Sequence, residues 1–435
     1  MRRTGRPGWR ISTGARAREA LSGDCRRSRL HLCRGVTPRA ARQFAAQAHN
    51  RAVSTAPHHV LYLILDEHLG IAGFPSDIPA CAEAASAVSA VLAVHNFTVY
   101  PNAYSNYPVT VDSLPSVLNR TVLAHSRQMI RQTEAGSRVY SLSANRLVAD
   151  MRAAGRDVVV VQHRSFDLNA GAEATRVEYE DVAGDLQSVE GSWLEKMQWV
   201  VGAYQASDPA LLRVNRFFPF RLGQRITGPL AVRRAWPARL ADGIESARKP
   251  TLFLAHLTAP HGPYLYRRDG TVRPMAEWSG DRADRRLAPA VYSGRYMRYC
   301  EQVSYLSAQL NGFLAKLQRA GMLEAMTVVI HGDHGSRIRA AFDGLPGDAH
   351  AVYPPERFDY PHEPDLRDLL NRFSTLMAIK RAAQSAPVVH PAKESLLRIL
   401  ERDFYRGVPA AGADSVYLFS AIGESRAIAL LNFWK

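Results

Sequence analysis

The feature that most constrains the fold is an apolar run, VLYLIL, which ends in two acids, Asp66 and Glu67. Such a run is typical of a parallel β-strand buried on both faces, with the acids at its carboxyl end. Similar runs recur at 157–162, 251–256 and 327–331, with helical patterns between them. Strands alternating with helices predict an α/β protein with a doubly wound, mostly parallel sheet flanked by helices.

Two further elements are predicted from the pattern. An amphipathic helix is expected over residues 299–320, closed by Gly321, and a last strand over 373–379.

The positive charge is unevenly distributed along the chain. The formal net charge is +15, but residues 1–51 carry +11 of it, which leaves +4 on the remaining 384 residues. We interpret residues 1–57 as a basic, disordered leader and residues 58–435 as the folded domain. Because that domain is nearly balanced in charge, its composition excludes a nucleic-acid partner.

Cysteine content and hydropathy exclude further classes. The four cysteines, Cys25, Cys33, Cys81 and Cys300, form no C-x-x-C pair and are too few and too dispersed for a disulfide framework or a zinc finger. No window reaches about 18 consecutive apolar residues, so we expect a soluble chain without a transmembrane segment.

Polar residues directly follow three of the predicted strands. Asp66 and Glu67 follow the first, His261 follows the third, and Asp333 and His334 follow the fourth. Ligands of doubly wound sheets bind at the carboxyl ends of the strands, so these residues are expected to meet at one rim. Carboxylates and imidazoles bind Zn²⁺ and Mn²⁺, and the sequence therefore predicts a metal site. A loop with a capping Asp and an exposed His is the alternative.

A metal at this rim needs a nucleophile, and two hydroxyls in residues 106–119 are candidates, Thr110 and Ser113. Pro108 keeps the chain extended, and a helix is predicted to begin near Thr110, whose hydroxyl would lie at the positive end of the helix dipole. A hydroxyl activated by a metal can attack phosphorus or sulfur. The residues alone leave open that Thr110 is only a helix N-cap.

The order of these motifs resembles the alkaline phosphatase/sulfatase superfamily. The resemblance is carried by Asp66-Glu67, Thr110, His261-Gly-Pro and Asp333-His334-Gly, and it covers roughly residues 58–385. It implies a sulfatase-like catalytic domain that acts as a metal-dependent hydrolase or transferase on phosphate or sulfate esters.

Within that superfamily the nucleophile segment resembles the phosphoethanolamine transferases. Formylglycine sulfatases carry Cys/Ser-x-Pro-x-Arg, whereas here Ser113 and Pro115 are followed by Val117 at the position of the Arg. The pattern Thr110-x-x-Ser113-x-Pro115 is similar to the transferase segment, in which the Thr carries a phospho-intermediate. The resemblance thus implies Thr110 as the catalytic nucleophile. A formylglycine sulfatase using Ser113 and a non-catalytic sulfatase-like binding domain are the alternatives.

The same resemblance implies the ligands of a divalent metal, Zn²⁺ or Mn²⁺ rather than Ca²⁺ or Mg²⁺. Asp333, His334 and Thr110 are expected to bind it, and Asp66 and Glu67 are both candidates at the first strand.

For the substrate, the resemblance implies that His261 contacts its phosphoryl or sulfuryl oxygens or protonates the leaving group. We interpret His256 as a core residue and His331 as a residue behind the ligands. The expected substrate is a small-molecule ester or an envelope glycan or lipid ester, because relatives usually face the periplasm or the cell exterior from the membrane.

Overall fold

The computed structural model describes residues 58–125, 127–132, 140–163, 166–169, 174–179, 193, 236–262, 264–274, 289–336, 338, 366–419 and 425–429. The predicted leader, residues 1–57, lies outside the described residues.

The strands of the described chain are β1 Val60–Leu65, β2 Thr98–Val99, β3 Ile130–Gln132, β4 Tyr140–Leu142, β5 Asp157–Gln162, β6 Phe166–Asp167, β7 Arg176–Tyr179, β8 Thr251–Leu257, β9 Thr327–Gly332, β10 Met377–Lys380, β11 Val388–Val389, β12 Ser415–Phe419 and β13 Ser425–Ala429. Among these residues, eight strands form one sheet in the order β11-β2-β10-β9-β1-β8-β5-β7. β1 pairs in parallel with β8 and β9, and β5 pairs in parallel with β8 and β7. β10 runs antiparallel to both β9 and β2. The predicted fold class, a doubly wound and mostly parallel sheet flanked by helices, is confirmed.

Helices cover both faces of this sheet. They are α1 Pro79–Val94, α2 Thr110–Asn119, α3 Arg146–Ala153, α4 Trp236–Ser246, α5 Pro289–Arg319, α6 Leu366–Phe373 and α7 Leu396–Leu400. All six residues of β1 are buried, and alternate side chains enter opposite layers. Leu63 packs in the core shared with α1, α4 and α5, and Tyr62 packs in the core shared with α2, α3 and α7. The continuous apolar run is explained by these two buried faces.

Two predicted elements differ in extent from the observed ones. The long helix α5 begins at Pro289, ten positions before the predicted start, and Gly321 follows it with φ +69°. Phe373 ends α6, and the predicted last strand reduces to β10, which is antiparallel to its neighbours. A short apolar run does not by itself distinguish the end of a buried helix from a strand.

The structure corrects the interpretation of two cysteines. Cys81 on α1 and Cys300 on α5 form a disulfide across 219 positions, with Cα atoms 5.0 Å apart. Both are fully buried where these two helices pack against each other. Their separation in the sequence concealed the pair, because only the packing of α1 on α5 brings them together.

The chain that precedes α2 is held by residues near the carboxyl end of the protein. The backbone N–H of Tyr417 donates to the carbonyl oxygen of Asn106 at 2.8 Å. The side-chain amide of Asn106 donates to the carbonyl oxygens of Ala413 and Ser415, and the rings of Tyr107 and Tyr417 stack. These contacts tie the chain before α2 to β12 and to the loop that precedes it.

Within the described residues, none of the helices combines the length and the apolar composition that crossing a membrane requires.

Candidate active site

The turn after β1 directs its two acids to different places. Asp66 and Glu67 are both about 5% exposed. Glu67 has a left-handed backbone with φ +60°, and its N–H donates to Oδ1 of Asp333 at 2.9 Å. Its carboxylate lies near His261, with Oε1 3.5 Å from Nε2. The two acids therefore serve different neighbours although they are adjacent in sequence.

Three of the predicted site residues form a compact group. Asp66, Asp333 and His334 each offer a ligand atom, and these atoms lie within 4.8 Å of one another. All three side chains are buried. Glu67 contributes its backbone N–H to this group rather than its carboxylate, so its role as a metal ligand stays a prediction.

The imidazole of His334 is oriented by its own backbone. Nδ1–H donates to the carbonyl oxygen of Gly335 at 2.8 Å, which assigns the proton to Nδ1 and leaves a lone pair on Nε2. Nε2 lies 3.3 Å from Oδ2 of Asp333. This tautomer is the one in which Nε2 can bind a metal.

Gly332 and Gly335 flank Asp333 and His334 in the turn after β9. Neither has a positive φ. A Cβ at Gly335 would lie 2.1 Å from the carbonyl oxygen of Asn371, and one at Gly332 would lie 2.5 Å from that of His68. The glycines thus permit close backbone packing of the ligand turn rather than an unusual backbone conformation.

Thr110 is the first residue of α2, and its side chain does not cap the helix. The cap position is Val109, which makes no side-chain hydrogen bond. The Thr110 hydroxyl instead lies 3.1 Å from Nε2 of His334 and 3.5 Å from Oδ1 of Asp66. The alternative that Thr110 is only an N-cap is wrong, because Val109 holds the cap position and the Thr110 hydroxyl contacts His334 and Asp66.

Ser113, the other candidate hydroxyl, contacts the backbone of the ligand turn and not a ligand side chain. It is 1% exposed and donates to the backbone carbonyl oxygen of Asp333 at 2.5 Å. Ser113 thereby fastens α2 to the turn after β9.

His261 reaches the site from the loop after β8. Its Nδ1 is 2.6 Å from the carbonyl oxygen of Gly262, so Nδ1 carries a proton and Nε2 faces Glu67. With 23% of its side chain exposed, it remains accessible from solvent. His261 can therefore meet a molecule that approaches the group from outside.

Sequence reasoning placed His256 in the core, and it lies nearer the site than expected. Nε2 is 3.8 Å from Oδ2 of Asp66, and both ring nitrogens are buried without a hydrogen-bond partner. Burial lowers the pKa of His256 to about 4, so it is neutral near pH 7. The signal that could have revealed it is register, since His256 pairs with Ile64, two residues before Asp66.

His331 on β9 pairs with Ile64 on the side of β1 opposite to His256. Its ring packs edge-on against Tyr62, with centroids 5.2 Å apart, and burial lowers its pKa to about 4. It belongs to the packing beneath the site.

The ionisation of Asp333 follows from its surroundings. Burial alone would raise the pKa of its carboxyl, but the neighbouring imidazoles of His334 and His256, the N–H of Glu67 and the hydroxyl of Thr110 outweigh burial and lower the pKa. Oδ2 of Asp333 nevertheless has no hydrogen-bond partner.

Two buried carboxylates and an available imidazole nitrogen form a donor set that suits a divalent cation. An orphaned buried carboxylate oxygen is costly unless a cation or a donor satisfies it. The residues present therefore fit a metal ion.

The described fold is an α/β sheet with a candidate metal site, formed by Asp66, Asp333 and His334, at its rim. The sulfatase family model matches residues 60–374, and the chain belongs to this family. It is thus an enzyme of the alkaline phosphatase/sulfatase superfamily, a hydrolase or transferase of phosphate or sulfate esters. Enzymes of this family use divalent metals.

Among solved structures, the chain is similar to the phosphonate monoester hydrolase of Silicibacter pomeroyi, with 14% identity over 79% of this chain and 72% of that one and a TM-score of 0.44. It is also similar to the C-terminal periplasmic domain of EcEptC from Escherichia coli in complex with Zn, with 12% identity over 80% and 81% of the two chains and a TM-score of 0.43. A third is the lipooligosaccharide phosphoethanolamine transferase A of Neisseria meningitidis, with 12% identity over 77% and 49% and a TM-score of 0.38. No protein of curated function matches the sequence.

Proposed function

We propose that this protein is a metal-dependent phosphoester hydrolase or phosphotransferase that works through a covalent intermediate on Thr110, with sulfate esters as the second substrate class. The observation that carries the proposal is the position of the Thr110 hydroxyl, 3.1 Å from His334 and 3.5 Å from Asp66 at the start of a helix. A hydroxyl with only a structural role would cap the helix or bond a carbonyl, as Ser113 does.

We assign the metal to Asp66, Asp333, His334 and Thr110, and Zn²⁺ or Mn²⁺ suits their oxygen and nitrogen donors. A bound divalent ion would lower the pKa of the Thr110 hydroxyl and stabilise negative charge on the transferred group. The orphaned Oδ2 of Asp333 supports this assignment.

In the first step, Oγ1 of Thr110 attacks phosphorus, and its proton passes to the Asp66 carboxylate. The bond from phosphorus to the ester oxygen breaks, and the leaving alcohol takes the proton that His261, protonated on both ring nitrogens, holds on Nε2 towards Glu67. The amino end of α2 places partial positive charge beside the transferred group.

In the second step, water or an acceptor alcohol attacks the phosphorus of the phosphothreonine and gives its proton to His261. The Thr110–phosphorus bond then breaks, and Asp66 returns the proton to Thr110. Each residue ends in the state in which it began. The hydrolase and the transferase differ only in whether water or an acceptor alcohol attacks the phosphothreonine.

We place the protein outside the reducing cytoplasm, with a small-molecule ester or an envelope glycan or lipid ester as substrate. The buried Cys81–Cys300 disulfide supports this location, because structural disulfides persist mainly in oxidising compartments.

The test combines metal analysis with a substrate panel. Purified protein is expected to hold stoichiometric Zn²⁺ or Mn²⁺ and to turn over a phosphomonoester or phosphodiester faster than a matched sulfate ester. Absence of both bound metal and turnover would favour the non-catalytic alternative. Turnover of sulfate esters alone, with formylglycine at Ser113, would favour the sulfatase.

A further inference from the structure

The buried face of α5 carries two polar residues that contact both loops of the site. Tyr299 is fully buried and Gln302 is 1% exposed. They lie three positions apart, which places them on the same side of the helix. Neither touches Asp66, Asp333 or His334 in the hydrogen bonds described.

Tyr299 bridges the turn that follows β1. Its hydroxyl accepts from the N–H of Leu69 at 2.8 Å and donates to the carbonyl oxygen of Glu67 at 2.9 Å. The backbone of Glu67 is left-handed, a conformation that non-glycine residues hold only where the surroundings impose it. Burial keeps the pKa of Tyr299 well above its usual value, so the phenol retains the proton that it donates. The phenol therefore holds Glu67 in the conformation in which its N–H reaches Asp333.

Gln302 holds the loop that carries His261. Its Oε1 accepts from the N–H groups of Leu265 at 2.7 Å and Tyr266 at 3.2 Å. Its Nε2 donates to the carbonyl oxygen of Pro260 at 3.0 Å. One side chain thus ties both sides of the His261 loop to the helix.

The helix that carries these residues is itself fastened. Cys300, between Tyr299 and Gln302, is bonded to Cys81 on α1. The cross-linked helix α5 therefore contacts both the loop after β1 and the loop after β8.

We propose that Tyr299 and Gln302 are positioning residues that hold the carboxylate of Glu67 and the imidazole of His261 together as a pair beside the metal-binding group. The proposal rests on the proposed function for its kinetic test. Tyr299 and Gln302 together set the 3.5 Å distance between Oε1 of Glu67 and Nε2 of His261. Through the N–H of Glu67, Tyr299 also orients Asp333.

The first experiment measures Zn²⁺ affinity of the full chain by chelator competition, starting from metal-free protein. Tyr299→Phe is expected to weaken Zn²⁺ binding about tenfold, because the Glu67 N–H that donates to Asp333 is no longer held in place. The matched control is Tyr305→Phe on the same helix, which removes the hydroxyl that accepts from the side-chain amide of Gln309 and keeps the ring that stacks on Tyr266. Equal affinities in wild type and Tyr299→Phe would overturn the proposal.

The second experiment is a double-mutant cycle between Tyr299→Phe and His261→Ala. In the wild-type background Tyr299→Phe is expected to lower kcat about tenfold or more with little change in KM, and in the His261→Ala background less than about twofold. Equal losses in both backgrounds would overturn the pairing and leave Tyr299 a packing residue.

Gln302→Glu is the second variant, for use if Tyr299→Phe does not fold. It keeps an acceptor for Leu265 and Tyr266 and loses the donor to Pro260, so we expect a lower kcat, an unchanged Zn²⁺ affinity and non-additivity with His261→Ala. An unchanged kcat would overturn the role of Gln302. If wild type turns over no ester at all, the proposed function fails, and the Zn²⁺ affinity of Tyr299→Phe still decides this inference.

Discussion

The hydroxyl oxygen of Thr110 lies 3.1 Å from Nε2 of His334, although the two residues are 224 positions apart. Thr110 begins α2, and His334 lies in the turn after β9. Ser113 fastens these elements together through the carbonyl of Asp333. The contact therefore depends on the docking of a helix start against a strand end, and not on either segment alone.

Replacing Thr110 by Ala is expected to lower kcat/KM by several orders of magnitude, because a covalent nucleophile is not replaced by binding interactions. Steady-state kinetics measures the loss, and mass spectrometry of trapped wild-type enzyme should place a phosphoryl adduct on Thr110. Thr121→Ala, just beyond the same helix, is the matched control and should retain activity. An adduct on Ser113, or a formylglycine mass there, would refute the nucleophile assignment.

The variants Asp333→Asn and His334→Ala are expected to abolish turnover and reduce metal content while the fold survives. Both residues lie in a turn at the end of β9, so their side chains can change without removing apolar packing. Metal analysis measures the metal content, and circular dichroism checks the fold. Asp157→Asn, at the amino end of β5 and so away from the rim, serves as the control. Full metal content together with full activity would contradict the assignment.

Replacing both Cys81 and Cys300 by Ala is expected to lower the free energy of unfolding by roughly 2–5 kcal/mol, because the cross-link closes a long loop in the unfolded chain. Denaturant titration with and without reductant measures this. Wild-type protein should lose stability on reduction, and the double variant should not respond. A variant as stable as oxidised wild type would show that the cross-link contributes nothing.

Stability is expected to fall as the pH decreases below 6.5, in part because of His59 at the amino end of β1. Burial, with the nearby charges of Arg156 and His58, lowers the pKa of His59 from its usual 6.5. Below that pH the unfolded chain takes up a proton that the folded chain resists, so unfolding becomes more favourable. His59→Phe should reduce this slope in unfolding measurements between about pH 5 and pH 7. An identical slope in wild type and variant would contradict the prediction.

The central strands could be predicted from the sequence because their apolar runs are long and bounded by polar residues. The grouping of Asp66, Asp333 and His334 could also be predicted, because these residues follow apolar runs and parallel strands end at a common edge of the sheet. The different directions of the Asp66 and Glu67 side chains could not be predicted, because they depend on a left-handed backbone at Glu67 that no local pattern specifies. His256, Tyr299 and the Cys81–Cys300 pair were missed because their roles depend on strand register and helix packing, which join distant positions.

The central place of β1 has a consequence for biosynthesis. Among the described strands β1 comes first in the chain, yet its neighbours in the sheet are β8 and β9, which begin at Thr251 and Thr327. Until β8 emerges, a nascent chain displays six apolar residues with both edges of their backbone unpaired by these partners. Contacts between such distant segments form slowly, and exposed strands invite aggregation. We therefore expect β1 to need protection by chaperones until β8 and β9 have been synthesised, and the rim that these three strands build to assemble only after them.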